Sequence, residues 1–140
     1  MTKVCMTINE LSPDVYLFHD KDEFYAKYTE LTGEPCDFDL SMVSGYHATG
    51  NCGSDMSALI YVESGVNSVL DEFATLIHEA THVKQTIFAI IGEKNPGREE
   101  EAYFMQHLCK ILIEEHTKWV FEHKDLYSDP EEKESSDEQA

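Results

Sequence analysis

Two long helical patterns in the second half of the chain constrain its fold more than any other feature. Apolar side chains recur every three or four residues through the first pattern, which predicts a helix over 69–91. A tight Asn-Pro-Gly connection at 95–97 separates it from a second helix, predicted over 98–124. Helices joined by so short a link fold back beside each other, so we expect their apolar stripes to share a core.

Local signals support both helices. Ser68 and Asp71 have the spacing of a capping box at the start of the first helix, and Gly92 is a typical stop signal. The apolar stripe of the first helix consists of Phe73, Leu76, Ile77, Ala80, Val83 and Ile87, and that of the second consists of Phe104, Leu108, Ile111, Leu112 and Trp119.

The first half of the chain predicts short strands around one helix. β-Branched and aromatic residues indicate one or two strands within 3–18, and apolar runs predict strands over 38–48 and 58–62. A helix is predicted over 19–31, with Gly33 as its C-terminal stop. Strands and a helix followed by two long helices predict an α+β fold with a small twisted sheet.

The charge of the chain is strongly acidic. Its 140 residues carry 28 Asp and Glu against 10 Lys and Arg, a formal net charge of −18. Residues 128–140 contribute a net charge of −5 and hold no large apolar residue, which predicts a disordered acidic tail after a domain at 1–127. Such acidity argues against direct nucleic-acid binding and is compatible with a basic partner protein.

The sequence carries no signal for a membrane or for export. No apolar run approaches the roughly 20 residues of a membrane span, and the N-terminal residues lack a secretory pattern. The 4 cysteines form no CxxC pair, so free thiols in a reducing compartment are expected. Together these features predict a cytoplasmic protein.

The first long helix contains an HExxH motif, His78-Glu79-Ala80-Thr81-His82. Imidazoles four residues apart project from one helix face and can bind one ion, and imidazole is a common ligand of zinc. Glu79 lies one position round the helix and can face a water without binding the metal, as a general base does. The motif predicts a Zn²⁺ site with His78 and His82 as ligands and Glu79 as the catalytic base.

A hydrolytic zinc site also needs a third protein ligand and one open position. Residues 86–91 contain no histidine, so the extended HExxH-x-x-G-x-x-H pattern is absent. The start of the second long helix returns beside the first and offers Glu99, Glu100 and Glu101. We therefore expect a carboxylate from this segment as the third ligand.

His78 to His82, followed by Glu99-x-Glu101-Ala102-Tyr103-x-x-Gln106, resembles the small gluzincins and phage-type metallopeptidases over about 58–110. These families carry HExxH on one helix and a glutamate ligand on the next. The resemblance implies a minimal zincin-like domain and Glu99 as the third ligand, three residues before a small residue. The longer spacing of some relatives would choose Glu101, and Tyr103 replaces an aspartate that some relatives place beside the first histidine.

The motif and the resemblance lead us to expect a zinc-dependent metallopeptidase. It would hydrolyse amide bonds of a peptide or protein substrate with a zinc-activated water and Glu79 as general base. The alternative is a binding or inhibitor protein that keeps the zincin scaffold without turnover and docks a basic partner through its acidic surface. Two simpler interpretations stay open: a solvated helix face with two ordinary histidines, and a structural metal, which normally has four protein ligands.

Several further residues are candidates for roles around such a site. Glu72 lies two turns before Glu79 on the same helix face; it is expected to be surface charge, and the alternative is a residue that orients a ligand. The strand over 58–62 is expected at the edge of the sheet, where extended substrate can pair with it. The candidate donors to an oxyanion are Tyr46, His47, Tyr103, His107 and His116.

Overall fold

The chain forms a four-stranded mixed sheet with helices on both faces. The computed structural model describes residues 2–5, 14–52, 55–90 and 97–127. The strands are β1 (Thr2–Cys5), β2 (Asp14–Phe18), β3 (Gly45–Cys52) and β4 (Asp55–Val62), and the helices are α1 (Lys21–Thr32), α2 (Val69–Ile90) and α3 (Arg98–Glu122). Short 3₁₀ turns lie at Leu40–Met42 and Lys124–Tyr127. The predicted α+β class is confirmed.

The strand order across the sheet is β1-β2-β4-β3. β2 and β4 are parallel, whereas β1 pairs with β2 and β3 pairs with β4 in antiparallel fashion. The prediction that residues 58–62 form an edge strand is therefore wrong, because β4 lies between β2 and β3. Its unbroken run of buried residues over 57–62 is typical of a strand covered on both faces. The edge beside α2 belongs to β3.

Two apolar cores lie on opposite faces of the sheet. Successive residues of a strand point to opposite faces, so β2 and β4 contribute alternately to each core. One core joins Val15, Leu17, Ala58, Ile60 and Val62 to the buried stripes of α2 and α3. The other joins Tyr16, Phe18, Leu59 and Tyr61 to Phe24 of α1 and Leu40 of the first 3₁₀ turn. The α2–α3 hairpin therefore covers one face of the sheet and α1 covers the other.

The ends of the helices follow their capping residues. Asp20 accepts the Glu23 backbone N–H at 3.1 Å, which starts α1 two residues later than predicted. Gly33 ends α1 as predicted, in a left-handed conformation with φ 76°. Ser68 Oγ accepts the Asp71 backbone N–H at 3.1 Å, so the predicted cap of α2 is confirmed.

Three other predictions have different outcomes. Ile77 is 44% exposed, so its place in the predicted apolar stripe of α2 is wrong. The strand predicted over 38–48 is observed as β3 at Gly45–Cys52, after the 3₁₀ turn. The predicted acidic tail at 128–140 lies outside the described residues.

None of the helices that the structure describes is both long and apolar enough to cross a membrane.

Candidate metal centre

The two histidines of the HExxH motif converge on one face of α2. His78 Nε2 and His82 Nε2 lie 3.2 Å apart. Two imidazole nitrogens bound to one tetrahedral zinc at 2.0–2.1 Å would lie about 3.3 Å apart. Their separation therefore matches that of two ligands on one zinc ion, and their partial exposure leaves the pair open to solvent.

Gln85 contacts the second ring nitrogen of His82, the one that does not face His78. His82 Nδ1 lies 3.2 Å from Gln85 Oε1, an amide oxygen that can only accept a hydrogen bond. With Nδ1 donating to this oxygen, His82 Nε2 accepts the hydrogen bond that His78 Nε2–H donates. Ligand histidines in metal sites are oriented in this way by an acceptor on their second nitrogen.

The side chain of Glu79 lies in the contact between α2 and β3. It is 6% exposed, and its Oε2 lies 2.7 Å from His47 Nδ1 on β3. The backbone of β3 approaches α2 closely because Gly45 has no side chain there. A Cβ at position 45 would meet Thr75 Cγ2 at 2.4 Å and Glu79 Oε1 at 3.3 Å.

His47 joins Glu79 to the histidine pair. Its ring stacks on that of His82, with centroids 4.9 Å apart and planes at 15°. It is the one candidate oxyanion donor that the structure places in contact with both Glu79 and a motif histidine. Tyr46 faces the other side of the sheet among the residues packed against α1, and Tyr103 is 65% exposed on α3.

Among the described residues, no third ligand is brought to the histidine pair. Glu99 and Glu100 are exposed in the first turn of α3, and Glu101 forms an ion pair with Lys84 of α2. Within the described ranges of the chain, no three His, Cys, Asp or Glu side chains lie close enough together to hold a metal ion. The partner of Glu101 nevertheless comes from α2, two residues after His82, so the start of α3 lies beside the motif helix.

A second polar cluster lies two turns earlier on α2. Glu72 is 1% exposed and His116 of α3 is fully buried, and their Oε1 and Nε2 atoms lie 2.7 Å apart. Glu72 also accepts the Tyr127 hydroxyl at 2.5 Å and the Gly65 backbone N–H at 3.0 Å. The expectation that Glu72 is surface charge is therefore wrong. His116 is also enclosed in this cluster and is not available as an oxyanion donor.

Burial shifts several pKa values in this second cluster. Burial lowers the pKa of His116, although the neighbouring Glu72 carboxylate opposes that shift. His19, whose Nε2 lies 3.0 Å from His116 Nδ1, has its pKa lowered to about 3 by burial and by the charge of His116. Burial and the Glu72 carboxylate raise the pKa of the Tyr127 hydroxyl.

His19 continues this cluster to the surface through a stack of parallel rings. Trp119 lies 4.5 Å from His19 and 4.0 Å from His123, measured between ring centroids. His19, Trp119 and His123 help to line a cleft of about 460 Å³, on whose walls Asp20, Glu23, Glu115, Lys118 and Glu122 also lie. Trp119 was expected on the apolar stripe of α3, whereas its ring stacks on those of His19 and His123.

Sequence reasoning missed the partners of Glu72 and Glu79. One usable signal was present: Phe104, Leu108, Leu112 and His116 follow at intervals of four and all are buried on α3. A histidine that continues a buried stripe needs a polar partner, since an unpaired buried polar group is costly. The position of His47 had no comparable local signal, because it depends on the pairing of β3 with β4.

Comparison with protein-family models, with curated proteins and with solved structures finds no significant match for this chain. Its function is therefore inferred from the residues and the geometry of the site alone.

Proposed function

We propose that this chain is a zinc-dependent metallopeptidase built on a minimal zincin-like domain. The observation that supports this proposal most strongly is the 3.2 Å separation of His78 Nε2 and His82 Nε2, with Glu79 on the same helix beside them. Gln85 bonds His82 Nδ1 and so leaves His82 Nε2 facing His78, the orientation that a ligand histidine has in a metal site.

In this proposal His78, His82 and Glu99 would hold Zn²⁺, which would polarise the scissile carbonyl and lower the pKa of a water molecule. Glu79 would accept the proton of the attacking water and donate it to the leaving amine, as a general base and then a general acid. Glu99 is preferred to Glu101 as third ligand because Glu101 is already paired with Lys84. The side chain of Glu99 is exposed and has freedom to change its rotamer.

The free edge of β3 is the proposed docking place for a peptide or protein substrate. Among the described strands β3 pairs only with β4, so its outer backbone groups are open to an added strand. His47 of the same strand contacts Glu79. An extended peptide paired with β3 would therefore run past the proposed base.

Metal content and peptidase activity of the wild-type chain and of Glu79→Gln test this function. Elemental analysis of protein never exposed to chelators should give about one zinc per chain in both proteins. Cleavage of a randomised quenched-fluorescent peptide pool should fall by about 10²–10⁴-fold in the variant, because the base is lost while the ligands remain. Zinc-free wild-type protein would contradict the proposal.

The same variant tests the alternative, a zincin scaffold that acts by binding. The net charge of −18 favours a basic partner protein for that role. If the wild-type chain binds zinc but cleaves no peptide, and Glu79→Gln captures basic proteins as well as the wild type does, the binding function replaces the peptidase.

The third ligand is tested by a matched pair of variants two residues apart. Glu99→Gln should lower the zinc content and the zinc affinity, whereas Glu101→Gln should leave both close to wild type because its carboxylate serves the Lys84 ion pair. The reverse result would assign the ligand to Glu101. Wild-type zinc affinity in both variants would exclude both carboxylates as ligands.

A further inference from the structure

His47 reaches the motif helix because of the register of β3. It lies directly opposite Ile60 of β4, and residues opposite each other in an antiparallel pair point to the same face of the sheet. Ile60 belongs to the core beneath α2 and α3, so His47 also faces α2. Gly45, two residues earlier, faces the same side and leaves room for the helix to come close.

This close approach encloses the carboxylate of Glu79. Its Oε2 bonds His47 Nδ1 at 2.7 Å, and its Oε1 would lie only 3.3 Å from a Cβ at position 45. The side chain of Glu79 is 8% exposed and that of His47 is 28% exposed, so solvent competes little for the bond. A carboxylate only accepts hydrogen bonds, so His47 Nδ1–H is the donor.

We infer that His47 is a positioning residue, which holds the Glu79 carboxylate in one rotamer beside the histidine pair and prevents it from turning onto the metal position. Without this bond the carboxylate has no other hydrogen-bonding side chain in the described residues to fix it. A glutamate next to two imidazoles on one helix is itself a good zinc ligand, and as a ligand it can no longer remove a proton. His47 has this role in catalysis only if the proposed function holds.

Loss of the His47 ring can also disturb His82, a proposed metal ligand, because the two rings stack. Two substitutions separate the donor from the ring. His47→Asn keeps an N–H donor on the atom bonded to Cγ, in the place of Nδ1, and removes the rest of the ring. His47→Leu removes both the donor and the ring but keeps apolar bulk.

The metal-free protein gives the first measurement, which does not depend on activity. Imidazole ¹⁵N spectra of the wild-type chain should show His47 as the Nδ1–H tautomer, and Glu79→Ala should abolish that preference. A wild-type spectrum with the proton on Nε2, or one that Glu79→Ala leaves unchanged, would overturn the inference. If the wild-type chain cleaves no peptide, the proposed function fails and these spectra alone decide whether His47 holds Glu79.

Kinetics of the zinc-loaded protein give the second measurement. His47→Leu should lower kcat by about 10–100-fold, the range seen when an orienting partner in a metal site is removed. KM and the zinc content should stay within twofold of wild type, and His47→Asn should recover most of the lost kcat. Wild-type kcat in His47→Leu, equal losses in the two variants, or loss of zinc would each overturn the positioning role, the last by making His47 a ligand.

Discussion

Two glutamates on the same face of α2, seven residues apart, have opposite environments. Glu72 is 1% exposed and accepts three hydrogen bonds, from His116, Tyr127 and Gly65. Glu79 is nearly as buried but has one donor, His47, which is itself partly open to solvent. The first carboxylate is enclosed by α3 and the second 3₁₀ turn, and the second lies against β3, the edge strand of the sheet as the described residues form it.

The difference indicates which cluster maintains the fold and which is available for chemistry. A buried polar network with every partner in place rigidifies the structure around it. The Glu72 cluster ties α2, α3, the Gly65 turn and the Lys124–Tyr127 turn together in this way. The Glu79 carboxylate has a single side-chain donor and keeps acceptor capacity, which is what a reacting proton requires.

Replacing each glutamate by glutamine should give the largest difference in the free energy of unfolding between the two clusters. Glu72→Gln places an amide N–H₂ against surrounding donors, because one carbonyl oxygen cannot serve the three donors on both sides of the group. We expect the free energy of unfolding to fall by about 3 kcal/mol. Glu79→Gln keeps an oxygen for its single donor and should cost less than about 1 kcal/mol. Urea denaturation of both variants at pH 7.5 measures the two values.

Equal losses in the free energy of unfolding for Glu72→Gln and Glu79→Gln would contradict this difference between the two clusters. Tyr127→Phe serves as the control, because it removes one donor from Glu72 without introducing a conflicting one. It should cost about 1 kcal/mol, the net value of a typical hydrogen bond.

Zinc should stabilise the Glu79 cluster and leave the Glu72 cluster unaffected. A ligand that binds only the folded state at 100 times its dissociation constant adds about 2.7 kcal/mol to the free energy of unfolding. We expect this gain in the wild-type chain and its loss when a chelator is added. The gain should persist in Tyr127→Phe and vanish in the double variant His78→Ala, His82→Ala. A gain that survives the double variant would place the metal elsewhere.

The parts of this comparison that local sequence specifies could be predicted. The cap of α2, its length and the convergence of His78 with His82 follow from residues within a few turns of one another. The long-range partners could not be predicted in the same way, because His47 lies 32 residues from Glu79 and His116 lies 44 residues from Glu72. Their positions depend on strand register and helix packing, which no short window of sequence contains.

The misplaced edge strand has the same origin. The order along the chain places β4 directly before α2, which suggested an edge position next to the motif helix. The observed β4 pairs in parallel with β2 on its other side, a contact that requires the α1 crossover. The buried run over 57–62 was compatible with an interior strand, but only the pairing partners distinguish an interior strand from an edge strand.

Gly45 tests how closely β3 must approach α2. Gly45→Ala should cost about 2 kcal/mol, because its Cβ would lie 2.4 Å from Thr75 Cγ2 and must displace either the strand or the helix. Thr75→Ser removes that methyl group, so the double variant should regain most of the lost stability. Gly97→Ala is the matched control, since its nearest neighbour would be Glu100 Cβ at 3.9 Å. Equal stability of Gly45→Ala and Gly97→Ala would show that the contact is loose.

The Glu72 cluster should also make the free energy of unfolding depend on pH, which is a smaller effect. The pKa of His19 is lowered to about 3 in the folded chain, against an ordinary value of 6.5, and the pKa of His116 is also lowered. Between pH 6.5 and 3 the unfolded chain therefore binds protons that the folded chain does not, and stability falls as the pH falls. One such proton contributes a slope of about 1.4 kcal/mol per pH unit.

His19→Gln measures this contribution while keeping a donor for His116. Urea denaturation between pH 6.5 and 5, above the range in which most carboxylates titrate, should give a slope smaller by up to about 1.4 kcal/mol per pH unit than that of the wild type. At pH 8, where His19 and His116 are neutral in both states, the difference between the two proteins reports the packing change alone. An unchanged slope would mean that protonated His19 is accommodated in the folded chain, and the Glu72 cluster would then be less enclosed than its burial indicates.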